Sequence, residues 1–239
     1  MFKLLSTANP KTQKGVKLGY LTWILHLAPA RVSGYETCAR RTAGCTAACL
    51  NTAGRGGMFK KGETTNRVQE ARKRKTRLFF LDRASFMAQL VDDIRRAIVY
   101  STRRGLIPVF RLNATSDLSW EKYIAEADKN VFELFPEVQF YDYTKILGRK
   151  VAQYKNYHLT FSAADGNDLD VNRAIALGMN VAVVFDRLPA TWLGQPVFSA
   201  DETDLRFLDP VGIAGLKAKG RAKKDTLGFV RRTIAIKSV

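Results

Sequence analysis

Residues 105–117 read GLIPVFRLNATSD, an apolar run that opens after a glycine and closes on short polar side chains. A run of this length, rich in β-branched and aromatic residues and bounded by turn formers, is the signature of a buried strand. The same form recurs in EVQFYDYTK (137–145), NYHLTFSAAD (156–165), MNVAVVFDR (179–187) and VGIAGLKAKG (211–220), and upstream in KLGYLTWILHLAPA (17–30). Near-continuous apolar runs belong to sheets covered on both faces, which are usually parallel.

Segments between these runs have helical character. DLSWEKYIAEADKNVFELFP (117–136), KILGRKVAQY (145–154) and DLDVNRAIALG (168–178) are expected helices, the last capped by Asp168 or Asp170 and ended by Gly178. The stretch 64–105 predicts one long or two consecutive helices, with Leu90, Ile94 and Ile98 in an apolar stripe. Strand and helix alternate along one domain, residues 1–239. The expected fold is α/β, a partial (β/α) barrel of about six mostly parallel strands, with a doubly wound open sheet as the alternative.

In such folds the functional groups sit at the carboxyl ends of the strands. Those ends carry Asn113, Thr115, Ser116 and Asp117, then Asp142, Tyr143, Thr144 and Lys145, then Ser162 and Asp165, and finally Asp186. Asn113, Ser116, Asp117, Asp142, Lys145 and Ser162 are the candidates for a pocket. A hard-cation site built from Asp117, Asp142, Asp165 and Asp186 is a further option. His26 and His158 lie in apolar patterns and, like Trp23, Trp120 and Trp192, read as packing residues.

The loop after the first run holds all the cysteines, in ETCARRTAGCTAACLNTAGRGG (36–57). The count is odd, which argues against a disulfide framework. Cys38, Cys45 and Cys49, spaced C-x6-C-x3-C, suit a [4Fe–4S] cluster with one iron left open. Zinc is the alternative, with His26 as fourth ligand, although the C-x2-C knuckle usual in structural zinc sites is missing. Unliganded thiols packed in a core remain a third reading. Downstream, Gly54, Gly56 and Gly57 would let backbone amides approach a ligand, and Arg55 offers a fork for a phosphate or carboxylate. No Walker pattern or dinucleotide fingerprint accompanies them.

The formal charge of +17 is unevenly placed. Residues 1–80 hold sixteen Lys and Arg against three acids, 217–239 hold eight against one, and the middle holds fifteen against eighteen. Two basic segments around a near-neutral middle point to a phosphate-rich partner, nucleic acid before membrane. Arg67, Arg72, Lys73, Arg74, Lys75 and Arg77 form the first cluster, in the helical segment 64–104. Lys217, Lys219, Arg221, Lys223 and Lys224 form the second, within the basic segment 217–239. Without an apolar run of membrane length or a recognisable leader, the expected location is the cytoplasm of a bacterial host.

The stretches LSTANPKTQKGVKLGYLTWILHLAPA, CARRTAGCTAACLNTAGRGG, RKTRLFFLDRASFM, RLNATSDLSWE and FYDYTK together resemble the phage gene product 88 family. That resemblance implies an origin in a virus or other mobile element. More loosely, a three-cysteine loop after the first strand of a partial barrel resembles radical S-adenosylmethionine enzymes, in which an open iron chelates S-adenosylmethionine. By position, Cys38, Cys45 and Cys49 would match their cluster ligands, but the spacing differs from that family's C-x3-C-x2-C. The combined expectation is an iron–sulfur protein that binds nucleic acid and modifies or cleaves it beside the cluster. The alternative is a nucleic-acid-binding protein whose iron–sulfur or zinc site is structural.

Overall fold

The structure, a computed structural model, describes residues 2–7 and 10–233. The last six residues of the basic C-terminal segment lie outside the described residues. The chain opens with a short strand β1 (Leu5–Ser6), helix α1 (Pro10–Val16) and strand β2 (Tyr20–Leu25). After the cysteine loop, which contains the one-turn α2 (Ala43–Ala47), come α3 (Arg67–Leu81) and α4 (Arg83–Thr102). Asp82 separates these two helices and caps the second, its carboxylate accepting the Ser85 N–H at 3.0 Å.

Strand β3 (Ile107–Arg111), the short α5 (Val131–Leu134), β4 (Gln139–Thr144), β5 (Tyr157–Ser162), α6 (Asp168–Ala176) and β6 (Val181–Phe185) follow. The chain ends with β7 (Thr191–Trp192), β8 (Gln195–Ser199), β9 (Ile213–Lys217) and β10 (Val230–Arg231).

All the strand runs expected from the sequence are present, in one open, largely parallel sheet ordered β1-β2-β3-β4-β5-β6-β9-β8-β7. From β2 to β6 each strand lies beside its predecessor and parallel to it. β5 pairs only with the start of β6, and β10 pairs with the far end of β6, at Val184 and Phe185. The C-terminal segment therefore reaches the carboxyl ends of the strands.

One face of the sheet, with Phe110, Phe140 and Tyr157, packs against Phe79, Phe86, Leu90, Ile94 and Trp120. Each fully buried side chain of this size contributes about 2 kcal/mol by leaving water. A second cluster joins Val171 and Ala174 of α6 to Phe161, Val181 and Val183. On the opposite face Val109 and Tyr141 lie under Leu205 and Phe207.

Two helical expectations fail, each for a local reason. Within 117–136 only a 3-10 turn (Trp120–Lys122) and α5 form. Ala127 and Asp128 take positive φ in a tight turn, and Asn130 with Glu133 starts a new helix through a capping box. No helix forms over 145–154, where Arg149 turns inward to Glu121 and the Tyr157 hydroxyl. The N-cap of α6 is Asn167 instead of Asp168 or Asp170, which fall in its first turn.

A candidate thiol centre at the rim of the sheet

The cysteine loop leaves β2 at the carboxyl edge of the sheet and is held there by side chains from several elements. Thr37 Oγ1 donates to Ala28 O at 2.7 Å, and Thr115, beyond β3, donates from its hydroxyl to Leu27 O. The Asp117 N–H reaches Thr37 O at 2.8 Å. From beyond β5, Asp165 clasps the start of α2: its carboxylate accepts the Gly44 N–H at 2.9 Å, the Cys45 N–H at 3.1 Å and the Thr42 hydroxyl. A Cβ on Gly44 would sit 2.6 Å from that carboxylate, so only glycine fits between Thr42 and Cys45. These donors hold the Asp165 carboxyl below its ordinary value against the opposing effect of burial.

Helix α3 supports the loop from behind with a polar inner face. Gln69 Nε2 donates to Gly56 O at 2.7 Å, Arg72 Nη1 to Asn51 Oδ1 at 2.7 Å, and Thr76 Oγ1 accepts the Ala28 N–H at 2.8 Å. Phe79, on the same face, enters the core.

Held in this way, Cys38, Cys45 and Cys49 all line one cleft of about 210 Å³, together with Arg41 and Arg221. All three are free thiols, half-buried. Burial pushes the Cys38 thiol up, aided by the charges of Cys49 and Asp117 and opposed by the Ala30 N–H and the Thr37 hydroxyl. Burial likewise raises Cys49, opposed by the Asn51 backbone, Lys145 and Arg72. Among the described residues no group of three or more His, Cys, Asp or Glu side chains is gathered tightly enough to hold a metal ion. That statement covers the four aspartates, and His26 does not line the cleft. His26 is surrounded instead by Arg72, Arg111 and Lys75, and burial followed by these charges lowers its pKa to about 3.

The remaining pocket candidates divide into two sets. Lys145 and Asp117 meet beside the cleft: Asp117 accepts the Lys145 N–H and the Thr144 hydroxyl, each at 2.8 Å, and Lys145 Nζ lies 3.3 Å from Ser162 Oγ. Asn113, Ser116 and Asp142 are buried elsewhere. Asn113 Oδ1 accepts from Ser116 Oγ, the Leu118 N–H and Trp120 Nε1, while Asp142 takes the Asn113 N–H at 2.6 Å and the Tyr157 hydroxyl at 3.1 Å. Burial raises the Asp142 pKa to about 7.

In the glycine-rich turn, a Cβ on Gly57 would fall 2.0 Å from Thr52 O, and the carbonyls of Arg55 and Gly56 accept from Asn66. Packing accounts for this turn without a ligand.

The two basic clusters also divide. On α3, Arg72 and Lys75 turn inward, Lys75 Nζ reaching Leu4 O at 2.5 Å, and burial lowers the Lys75 pKa to about 8. Arg67, Arg74 and Arg77 are exposed, and Lys73 pairs with Glu70 at 2.9 Å. At the other end Lys219 pairs with Asp201 at 2.7 Å, while Lys217, Arg221, Lys223 and Lys224 are exposed. Ala222, Phe229 and Val230 pack against Ala48 of the cysteine loop, which brings Arg221 to the cleft.

Arg41 is a cleft residue that does not stand among the candidates read from the sequence. Its position between Cys38 and Cys45 is the signal that could have found it.

The family model described as Gene product 88 matches residues 3–233. The chain belongs to this family. The match spans the whole sheet and the thiol cleft, so the architecture described above is the body of a gene product 88 protein. No curated protein and no solved structure matches the chain. The described residues contain no helix long and apolar enough to cross a membrane.

Proposed function

We propose that this protein, from a phage or other mobile element, holds a [4Fe–4S] cluster on Cys38, Cys45 and Cys49 and binds nucleic acid beside it. The observation that carries this reading is the convergence of all three thiols on one cleft flanked by cations. Thiolates select iron–sulfur clusters or zinc. A lone zinc ion draws its sulfur ligands to about 2.3 Å of one centre, and the thiols are not gathered that closely. Ligands spread around a cleft suit a larger body. When bound, such a cluster supplies an electron and an open iron site able to chelate S-adenosylmethionine.

The chain's own groups have definable tasks in this scheme. Asp165 fixes α2 and hence Cys45, the Thr115–Asp117 loop fixes the turn before Cys38, and Lys145 places a cation beside Cys49. The exposed Arg67, Arg74, Arg77, Lys223 and Lys224 are the groups that meet phosphates. A radical-enzyme-like partial barrel is the finer fold reading, supported by the unreversed order of β2 to β6 and by the cysteine loop following the first parallel strand.

A second reading, in which the metal only staples the loop of a non-catalytic nucleic-acid-binding protein, draws support from the burial of Asn113, Ser116 and Asp142. Anaerobic purification tests the main proposal. A brown protein with about four irons per chain is the expected result, and a colourless protein with stoichiometric zinc would overturn it. Cleavage of S-adenosylmethionine after reduction separates the enzyme from the binding protein. Replacing Lys223 and Lys224 by Ala should flatten the slope of log affinity against log salt by about 0.9 for each phosphate that is no longer neutralised.

A further inference from the structure

We propose that Arg72 is the fixed counter-charge of the thiol cleft and raises the reduction potential of the cluster held there. The inference rests on the cluster reading above. Arg72 is delivered by the inner face of α3, between Gln69 and Thr76, and is held rigidly. Its Nη1 donates to Asn51 O at 2.9 Å and to Asn51 Oδ1 at 2.7 Å, two residues beyond Cys49. Its Nε is buried and lacks a hydrogen-bond partner.

A guanidinium stays charged under all ordinary conditions, and a buried charge is costly unless an opposite charge compensates it. Cys49 is the group whose negative charge favours Arg72, against the effect of burial. The other arginines of the cleft are placed differently. Arg41 is spent on Glu36, which it meets at 3.1 Å, and Arg221 stands in solvent, where its field is screened. Arg72 is thus the cation whose field reaches the sulfur side of the cleft with least screening.

Net charge, hydrogen bonding and exposure set cluster potentials. Adding an electron adds negative charge, so a fixed cation nearby favours the reduced form.

The test compares iron content and midpoint potential in the anaerobically prepared wild type and Arg72→Gln. Both should bind the cluster. In the variant, the reduced-to-oxidised ratio at the wild-type midpoint should fall about tenfold, a downward shift of about 59 mV for one electron. Arg72→Lys, which keeps the charge, should return most of the way to wild type, and Arg221→Gln should shift less. Should Arg72→Gln fail to fold, Asn51→Asp carries the test, because it offers the guanidinium a carboxylate in place and should lower the potential likewise.

A full cluster with an unshifted potential in these variants would overturn the role of Arg72 and leave the cluster reading standing. Equal shifts in Arg72→Gln and Arg72→Lys would assign Arg72 to packing alone. A wild type without any cluster would overturn the parent reading, and this inference with it.

Discussion

At the end of β3, Asn113 spends both ends of its amide inside the protein, on Ser116, Leu118 and Trp120, while its backbone N–H is taken by Asp142. Nearby, Cys38 has only long-range polar neighbours: 3.5 Å to the Ala30 N–H, and 3.8 Å to both Thr37 Oγ1 and Thr115 O. Both groups of residues follow a strand at the same edge of the sheet, yet one is sealed and the other lines a cleft. The difference lies in what comes next along the chain. After Asn113 the loop brings Trp120, wholly buried, over the polar knot, and Tyr157 closes it from β5. The cysteine loop has small residues, Ala39, Ala43, Gly44 and Ala47, where a lid would need aromatic bulk. Polar residues after a strand therefore make a site only where nothing large covers them.

Breaking the sealed cluster should have the largest effect. Asn113→Ala leaves the Trp120 indole N–H, the Ser116 hydroxyl and the Leu118 N–H without their acceptor. Each buried orphan costs about 1–3 kcal/mol, so a destabilisation of about 3 kcal/mol or more is expected in a urea titration. Iron binding per folded molecule should be unchanged.

The next contrast is in pH. Asp142 has its folded pKa raised from 3.8 to about 7, so between those values the folded state holds a proton that the unfolded chain has lost. Stability from this group falls as pH rises across that window and is flat above it. Asp165 has the opposite sign: its folded pKa is depressed, so its contribution is present above the unfolded value of 3.8 and is lost as pH falls through the lower folded value. Urea midpoints against pH should show Asp142→Asn flattening the window between 3.8 and about 7, with Asp165→Asn acting only at the acid end. The same slope in Asp142→Asn as in wild type would place the titrating group elsewhere.

The strands are legible in the sequence because runs such as VAVVF (181–185) are apolar on both faces, and no other element of this length needs that. The rim position of the cysteines follows directly from the first of these runs. Segment 117–136 misleads because its apolar spacing mimics a helix, while its conformation is governed by Asn113, which lies before it, and by the turn at Ala127 and Asp128. Helix α3 hides its inner face for a related reason. Residues 69, 72, 76 and 79 point inward, and three of the four are polar because their partners are loop carbonyls and amides. A periodicity of apolar residues cannot reveal a face that buries Gln, Arg and Thr. The inward turn of Arg72 and Lys75, and with it the split of the first basic cluster, is for that reason invisible until the fold is known.

The smallest expected effect on stability is the sharpest test of the thiol centre. Cys45 sits on the one-turn α2, its backbone N–H is satisfied by Asp165 and Thr42, and its side chain lines the cleft. Replacing it by Ala keeps those backbone bonds and removes a sulfur atom from a solvent-reachable wall. In metal-free protein Cys45→Ala should therefore change stability by no more than about 0.5 kcal/mol, as for substitutions away from core or network features. Iron uptake under anaerobic reconstitution should nevertheless collapse, since two thiolates remain for a cluster that needs three from this chain. A destabilisation of about 2 kcal/mol, the scale of a core truncation, together with undiminished iron uptake would reverse the assignment. Cys45 would then be a packing residue like those around Asn113, and the open cleft would have another use.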